Sequence, residues 1–526
     1  MNNPSFSSLL PPILAIILGF VTKQVYISLL AGIWLGAFLL HDGSIFSAFF
    51  KSFDTYLLNA LGDGDHAAIL ISTLFIGAIS SLIQYNGGTR AMVNWISSKA
   101  KGAKSIQLST WFLGLCIFFD DYANSLILGK TMRPLYDKYK ISREKLAFIV
   151  DATSAPIASI ALVSTWISTE VGLIGDALKD MHFESPVSAY QMFINSLPYR
   201  FYPLLMIFFV FYTIYKGKDL WTMAKYSKLS DSPIDISTRI DTSHDDIYNN
   251  TSSSIFAIVP LLFLILSCLT SLFITGYQSL GQNHGLSGIG FLQEALGNAD
   301  AYKSLIWGTS LSLVFTILFS LFGKTLNTEK SMQAIMNGFE SMLPACVILV
   351  LAWALAQVTK DLKSAEYILQ LLQGKISPYF IPAMTFLTAA IVSFATGTSY
   401  GTMAIIMPIS APLAYSIASE SGISPADIQM LVTASVGSVL AGSIFGDHCS
   451  PISDTTVMSA SSSECNLMTH VQTQLPYALL VALVGLLVGE SALILGFSPF
   501  ISLLLGIVIL IATVNIFGKT NASDPS

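Results

Sequence analysis

Mainly apolar stretches recur along the chain at the length of a membrane-spanning helix, and this feature decides what solvent the chain can fold in. Leu204–Tyr215 with its lead-in, Ile255–Phe273, Leu305–Phe322, Tyr477–Val488 and Ile501–Phe517 each read as a span, since crossing the hydrocarbon takes about 20 mainly apolar residues. Leu9–Leu40 reads as two helices joined by a tight polar turn at Thr22, Lys23 and Gln24. Composition agrees, with 11% of the 526 residues charged against roughly 25% in an ordinary soluble domain. Too little polar surface remains to cover a water-soluble core of this size, so lipid is the expected partner. The net charge of −6 is spread over loops, which indicates neither a nucleic-acid footprint nor a basic surface helix. Five scattered cysteines without CxxC spacing give neither a disulfide framework nor a zinc site. The opening MNNPSFSSLL lacks a basic n-region and a cleavage site, so the first apolar stretch is expected to stay as a membrane helix.

Two regions are choppier. Between Ala67 and Thr169, and between Leu343 and Thr456, apolar segments are broken by Gly, Pro, Ser, Thr and Asp. Irregular backbone at membrane depth is tolerated only where it is buried in protein or lines a wet cavity, so broken helices mark the expected transport site. The long polar stretch Lys216–Ser254 reads as a connecting loop, which divides the chain into a first transmembrane half (1–215), the loop (216–254), a second half (255–518) and a polar tail (519–526). Lys216, Lys218, Lys225, Lys228 and Arg239 point to a cytoplasmic loop, whereas Gln278–Ala301 has no Lys or Arg before Lys303.

The halves resemble each other. Asp120–Leu135 aligns with Thr398–Leu413, pairing Tyr122 with Tyr400 and Pro134 with Pro412; Lys140–Ser159 aligns with Gly422–Ala441, pairing Ser142 with Ser424. Lys130–Lys145 holds six basic residues and Pro408–Asp427 none, so the positive-inside tendency puts the two on opposite sides and makes the repeats inverted. Lys99, Lys101 and Lys104 cut against this, having basic analogues in Lys360, Lys363 and Lys375. If Arg90–Lys104 and Lys130–Lys145 share a side, the stretch between them dips in and returns. The expectation is therefore an all-α polytopic membrane protein of two inverted-topology repeats, each with a re-entrant hairpin and a broken helix. The hairpin tips would be Asp120–Tyr122 and Gly397–Thr402, and the helix breaks would lie near Thr153–Pro156 and Gly442–Gly446.

An aspartate at membrane depth costs roughly 2.5–3.5 kcal/mol on insertion scales and so faces the bundle interior. Asp120 and Asp121 are adjacent; two such charges cannot both ionise cheaply, which suits a carboxylate shared between Na+ and H+. The plainer alternative is that the pair caps a helix beginning at Tyr122. Asp151 lies in AFIVDATSAP, with Thr153 and Ser154 supplying hydroxyls and Pro156 freeing a carbonyl, a combination suited to coordinating a cation; the alternatives are a basic partner or a structural kink. Glu170 reads as a loop acid near the far surface. In the second half GTSYGT offers the hydroxyls of Thr398, Ser399 and Thr402, and GDHCSPISDTT supplies Asp447, His448 and Asp454, where acid and imidazole together could relay protons. HxxxH and CxxC are absent, which disfavours a transition-metal site, and His448 alone with scattered serines is a weak triad signal for a serine hydrolase.

FFDDYANSLILGKTMRPLYDKYKISREKLAFIVDATSAP, GTSYGTMAIIMPI and GSIFGDHCSPISDTT together resemble the NhaC-type Na+/H+ antiporter family of the ion-transporter superfamily, over most of the chain. The resemblance implies a multi-pass secondary transporter of the bacterial inner membrane, without enzymatic activity or cofactor, moving Na+ and H+ around a central site. It matches Asp120, Asp121, Asn124 and Asp151 to the family's acidic first-half motif, with Na+ expected at the three aspartates. Thr398, Ser399, Thr402, Asp447, His448 and Asp454 match the second motif. Relatives also exchange small organic acids such as malate and lactate, or amino acids, so a small organic solute is the alternative cargo; a homodimer is also left open. No Arg is expected in the pathway, which leans toward a plain cation.

Overall fold

The computed structural model describes residues 5–520 apart from 23, 42–43, 99–101, 163, 180, 182, 184–186, 230–252, 281–298, 365–366, 368–376, 491–492 and 494–495. The expectations resting on Lys99, Lys101, Lys375, Arg239 and most of 216–254 and 278–301 lie outside the described residues. The described fold is helical apart from one short antiparallel pair, β1 (Lys218–Asp219) with β2 (Lys519–Thr520). Among the described residues nine helices are long and apolar enough to cross a membrane, and Ala189–Tyr199 with Phe201–Lys216 forms a further pair bent by 50°. The chain is a polytopic all-α membrane protein. All five cysteines are free.

The N-terminal stretch folds as α1 (Leu10–Thr22) and α2 (Val25–Leu40), divided at the expected polar turn. After α3 (Gly64–Tyr85) comes a hairpin. Its first arm is α4 (Ala103–Cys116); its second runs through Asp121–Ala123, a π-helical turn at Asn124–Leu128 and α5 (Gly129–Lys138). Tyr136 Oη donates to Thr110 Oγ1 at 3.0 Å and Asn124 Nδ2 to Gly114 O at 2.9 Å, so the arms lie antiparallel. Ser142 caps α6 (Arg143–Ala152), which stops where expected, at Thr153–Ser154, before the short α7 (Ala155–Ala158). Next come α8 (Ile167–Leu178), α9 (Ala189–Ser196), α10 (Phe201–Lys216) and α11 (Trp221–Leu229).

The second half is smoother than its sequence suggests. It comprises α12 (Ile255–Leu280), α13 (Ala301–Phe322), α14 (Thr328–Asp361), α15 (Ile381–Thr396), α16 (Ser399–Glu420), α17 (Pro425–Cys449), α18 (Asp454–Ser462), α19 (Leu467–Val484) and α20 (Pro499–Phe517). Pro344, Pro408 and Pro412 lie inside helices; each removes one backbone hydrogen bond, which neighbouring helices in a membrane bundle can re-satisfy. The turn between α15 and α16 falls on Gly397, whose φ of 68° is left-handed, and on Thr398, whose hydroxyl accepts from Gly401 N. Thr385 and Ser410 hydroxyls meet at 2.6 Å across the two helices.

The expected break at Gly442–Gly446 is absent; α17 runs on to Cys449 and the chain breaks at Ser450–Ser453. These glycines serve close packing instead. A Cβ on Gly442 would lie 2.5 Å from Phe386 O, and one on Gly446 2.3 Å from Ala390 O, as where two helix backbones approach along a small-residue face. Gly446→Leu is expected to destabilise by about 1–3 kcal/mol or more through overpacking. Thermal unfolding of detergent-purified protein measures this, with Gly64→Ala, where an added Cβ meets nothing within 4 Å, as the neutral control.

Several polar contacts gather at one end of the molecule. Lys145 Nζ pairs with the buried Asp219 at 2.6 Å, and Tyr477 and Ser227 also donate to that carboxylate. Burial alone would raise the Asp219 carboxyl; Lys145 and these hydroxyls hold it below its ordinary range. Arg143 bridges Asp137 and Glu464 at 3.0 and 3.1 Å.

Candidate functional site

Two polar clusters lie buried where the hairpin tip, the break after α6 and the α17–α18 junction come together. The first surrounds the tip. Asp120 and Asp121 are both about 4% exposed, and Ser80 on α3 donates to Asp120 Oδ2 at 2.6 Å. The Asp121 carboxyl lies against the N–H groups of Asp121 and Tyr122, in the short helical turn Asp121–Ala123. Its carbonyl accepts from Ser154 Oγ at 2.7 Å, and Ser154 and Ser125 hydroxyls meet at 2.8 Å. Asn124 spends its amide on carbonyls, donating to Gly114, Ile117 and, at 2.7 Å, Thr153. It thereby ties both hairpin arms to the break in α6. Thr153 turns its own hydroxyl back to Ile149 O. The π-helical turn belongs here too, as such turns often do at functional sites: Ser459 and Ser462 of α18 reach the Ser125 hydroxyl and carbonyl at 3.3 and 2.7 Å.

The second half meets this tip from the other side. Ser399 donates to Asp447 Oδ2 at 2.9 Å, leaving Asp447 Oδ1 without a partner, and the Tyr400 ring lies 4.8 Å from that of Trp166. Tyr122 donates to Asp454 at 3.3 Å; Asp454 itself is exposed in the first turn of α18. Thr398 and Thr402 have structural contacts, Thr398 capping α16 and Thr402 bonding back to Thr398 O.

The second cluster is built on Asp151. Its Oδ2 accepts from Gln474 at 2.6 Å, Thr456 at 3.1 Å and His470 at 3.2 Å, with His448 Nε2 at 4.0 Å. His448 Nδ1 meets Tyr202 Oη at 2.6 Å, and Gln474 also holds the His448 carbonyl. Asp151 Oδ1, His448 Nε2 and His470 Nδ1 are buried and lack partners. Asp151 thus faces two imidazoles instead of joining Asp120 and Asp121. Among the described residues no three His, Cys, Asp or Glu side chains converge as a metal-holding group.

Several residues escaped the sequence reading. His470 and Gln474 sit four apart on α19, hence on one helix face, inside a polar stretch that the apolar window starting at Tyr477 cut off. Ser80 and Tyr202 carry no local sequence signal. Glu170 is not a surface loop acid: it lies in α8, wholly buried, paired at 2.8 Å with an equally buried Arg200 that also donates to Ser159 O. An arginine is therefore present in this interior. A cavity of about 760 Å³ lies elsewhere, lined by Tyr56, His66, Asp176, Lys179 and Asp361 among others. None of the expected site residues lines it.

A model of the Na+/H+ antiporter family matches residues 157–489, beginning after Asp120, Asp121 and Asp151. An uncharacterised protein of Haemophilus influenzae is 32% identical over 483 residues, covering 90% of this chain and 88% of its own. The malate-2H(+)/Na(+)-lactate antiporter of Bacillus subtilis is 32% identical over 143 residues, 27% of this chain and 28% of its own. Among solved structures, the YdaH transporter of Alcanivorax borkumensis is similar with a TM-score of 0.56 at 16% identity, covering 88% of this chain and 91% of its own. That likeness concerns fold alone.

Proposed function

The chain belongs to the Na+/H+ antiporter family, and from that premise we propose that it exchanges Na+ for H+ across a bacterial inner membrane, with the two buried clusters dividing the work. In this reading Na+ sits at the hairpin tip. Asp120 and Asp121 supply charge, and Ser80, Ser154, Ser399 and Asp447 supply further oxygens, the hard donors that alkali cations prefer. The proton is held by Asp151 and passed among Asp151, His470 and His448. The two clusters are coupled through the break in α6, because Asn124 at the tip holds Thr153 O, two residues from Asp151.

The observation that carries the reading is the surroundings of Asp151: a wholly buried carboxylate from the first half between two imidazoles of the second. Such a group costs too much at this depth to be retained without use, and histidine is the side chain whose ordinary titration falls near neutral pH. Inverted halves fit the same reading. The basic Lys130–Lys145 against a counterpart that holds no Lys or Arg and carries Glu420 and Asp427 supports them, as does the recurrence of a capping serine, Ser142 and Ser424, at matched positions.

Purified protein in liposomes with an internal pH-sensitive dye tests the proposal. Wild type is expected to move protons when Na+ is added, and Asp120→Asn to raise the Na+ concentration needed for half-maximal flux by about tenfold or more, the factor for losing about 1.4 kcal/mol of cation binding. Absence of Na+-dependent proton flux between mildly acidic and alkaline pH would overturn it. A second reading, Na+-linked exchange of a small organic acid, draws support from the buried Arg200 and from donor groups beside it.

A further inference from the structure

The first turn of α8 is unusual for a helix end buried in protein. Helix N-termini leave about four N–H groups without intrahelical partners, and here no side chain of the N-cap residue, Trp166, covers them. Around them stand further donors without a geometrically formed hydrogen bond. Thr165 Oγ1, Trp166 Nε1, Ser168 Oγ and Thr169 Oγ1 are all buried and unpartnered, in residues at most about 1% exposed. The run is fixed in place: Thr165 N donates to Phe119 O at 2.9 Å, setting the turn against the hairpin tip, and Trp166 N is held by Ser164 Oγ at 3.1 Å. The indole N–H of Trp166 is turned toward the Asp121 carboxyl, so of the four donors it is the one with an acceptor already beside it. One acceptor completes the set, Glu170 Oε1, free because Arg200 occupies Oε2.

Buried polar groups in folded proteins are nearly always paired, and each orphan costs about 1–3 kcal/mol. Four orphaned donors on five consecutive residues at the positive end of a helix dipole describe a place made for an anion. Its charge must be considered with its neighbours. Glu170 is offset by Arg200, but Asp121 lies beside the site and would repel an anion unless its own charge were neutralised.

We infer that Thr165, Trp166, Ser168 and Thr169 at the N-terminus of α8 form a subsite for the carboxylate of a small organic acid, filled together with the cation held at Asp121. The subsite stands on the donor set alone; the clause about the cation rests on the function proposed above. Glu170 Oε1 would accept from a hydroxyl or ammonium next to that carboxylate. The family's ion exchange and the movement of an organic acid then meet at one pair of elements, the tip and the turn packed on it.

Equilibrium binding of radiolabelled lactate, succinate, glycine and acetate to the full chain in nanodiscs tests this, in NaCl and in choline chloride. At least one of the four is expected to bind in NaCl. Thr169→Val with Ser168→Ala is expected to weaken it at least tenfold, and Thr169→Ser, which keeps the hydroxyl, to stay within about threefold of wild type. Because the serine variant reports on folding and packing at the same position, equal losses in the Thr169→Val, Ser168→Ala double variant and in Thr169→Ser would assign a purely structural role and overturn the subsite. So would failure of all four acids to bind, with water alone meeting the donors. Binding that persists unchanged in choline chloride would leave the carboxylate subsite standing and overturn its link to the cation. Na+-driven proton flux, measured separately in liposomes, keeps a failure here distinct from a failure of the exchange itself.

Discussion

Asp151→Asn is expected to abolish Na+-dependent proton movement, a fall on the order of 100-fold or more, the lower end of what loss of a proton-transferring group costs. The asparagine has nearly the same shape but cannot hold an exchangeable proton. Its amide also places donors where Gln474, Thr456 and His470 already donate to Asp151 Oδ2. Dye-loaded liposomes give the measurement, and His470→Gln supplies the comparison. Glutamine retains a donor but not the titration, so flux should be slowed and its pH dependence altered rather than lost. Full activity in Asp151→Asn would return the proton to Asp120 or Asp121 and remove the division of labour between the clusters.

The second large effect is on stability. Arg200→Met strips the Glu170 carboxylate of its one hydrogen-bonded partner among the described residues while leaving it wholly buried. Breaking a buried ion pair from one side costs about 3–5 kcal/mol, whereas replacing both partners by apolar groups is often close to neutral. The single variant should therefore unfold at a much lower temperature in detergent, and Arg200→Met combined with Glu170→Leu should recover most of the loss. A double variant as unstable as the single would show that Arg200 is needed for its contacts to Ser159 O and Ser196 instead. Transport by the double variant would be informative in its own right, since Glu170 sits in the first turn of α8.

Much of the scaffold was legible in the sequence because its signals are local. The apolar runs, the turn at Thr22–Gln24, the tip at Gly397–Thr398 and the interruption at Thr153–Ser154 each follow from residues within one helical turn. What was misread depended on neighbours. Pro344, Pro408 and Pro412 suggested fragments, yet the helices continue through them, as a bundle whose neighbours can re-satisfy freed backbone groups allows. Gly442 and Gly446 suggested a break, whereas the backbone of α15 needs their lack of a Cβ. The site was half visible in the same way. Asp120, Asp121, Asp151, Asp447 and His448 stand out as polar groups in apolar surroundings. Ser80 and Arg200 become members only through contacts spanning 40 and 30 residues, which no periodicity encodes. Asp454 was carried by its motif but lies exposed, and among the described residues its hydrogen bond to the site comes from Tyr122.

The pairing of Lys218–Asp219 with Lys519–Thr520 has a practical side. It fastens the strand just past α20 to the segment that leaves α10, while Asp219 in the same short ribbon grips Lys145 at the foot of α6. A spin label or fluorophore on Lys519 would therefore ride on a firm mount at the base of α6, the helix that carries Asp151. Distance changes recorded from it during turnover would report how α6 tilts relative to the rest of the bundle, not the wandering of a loose tail.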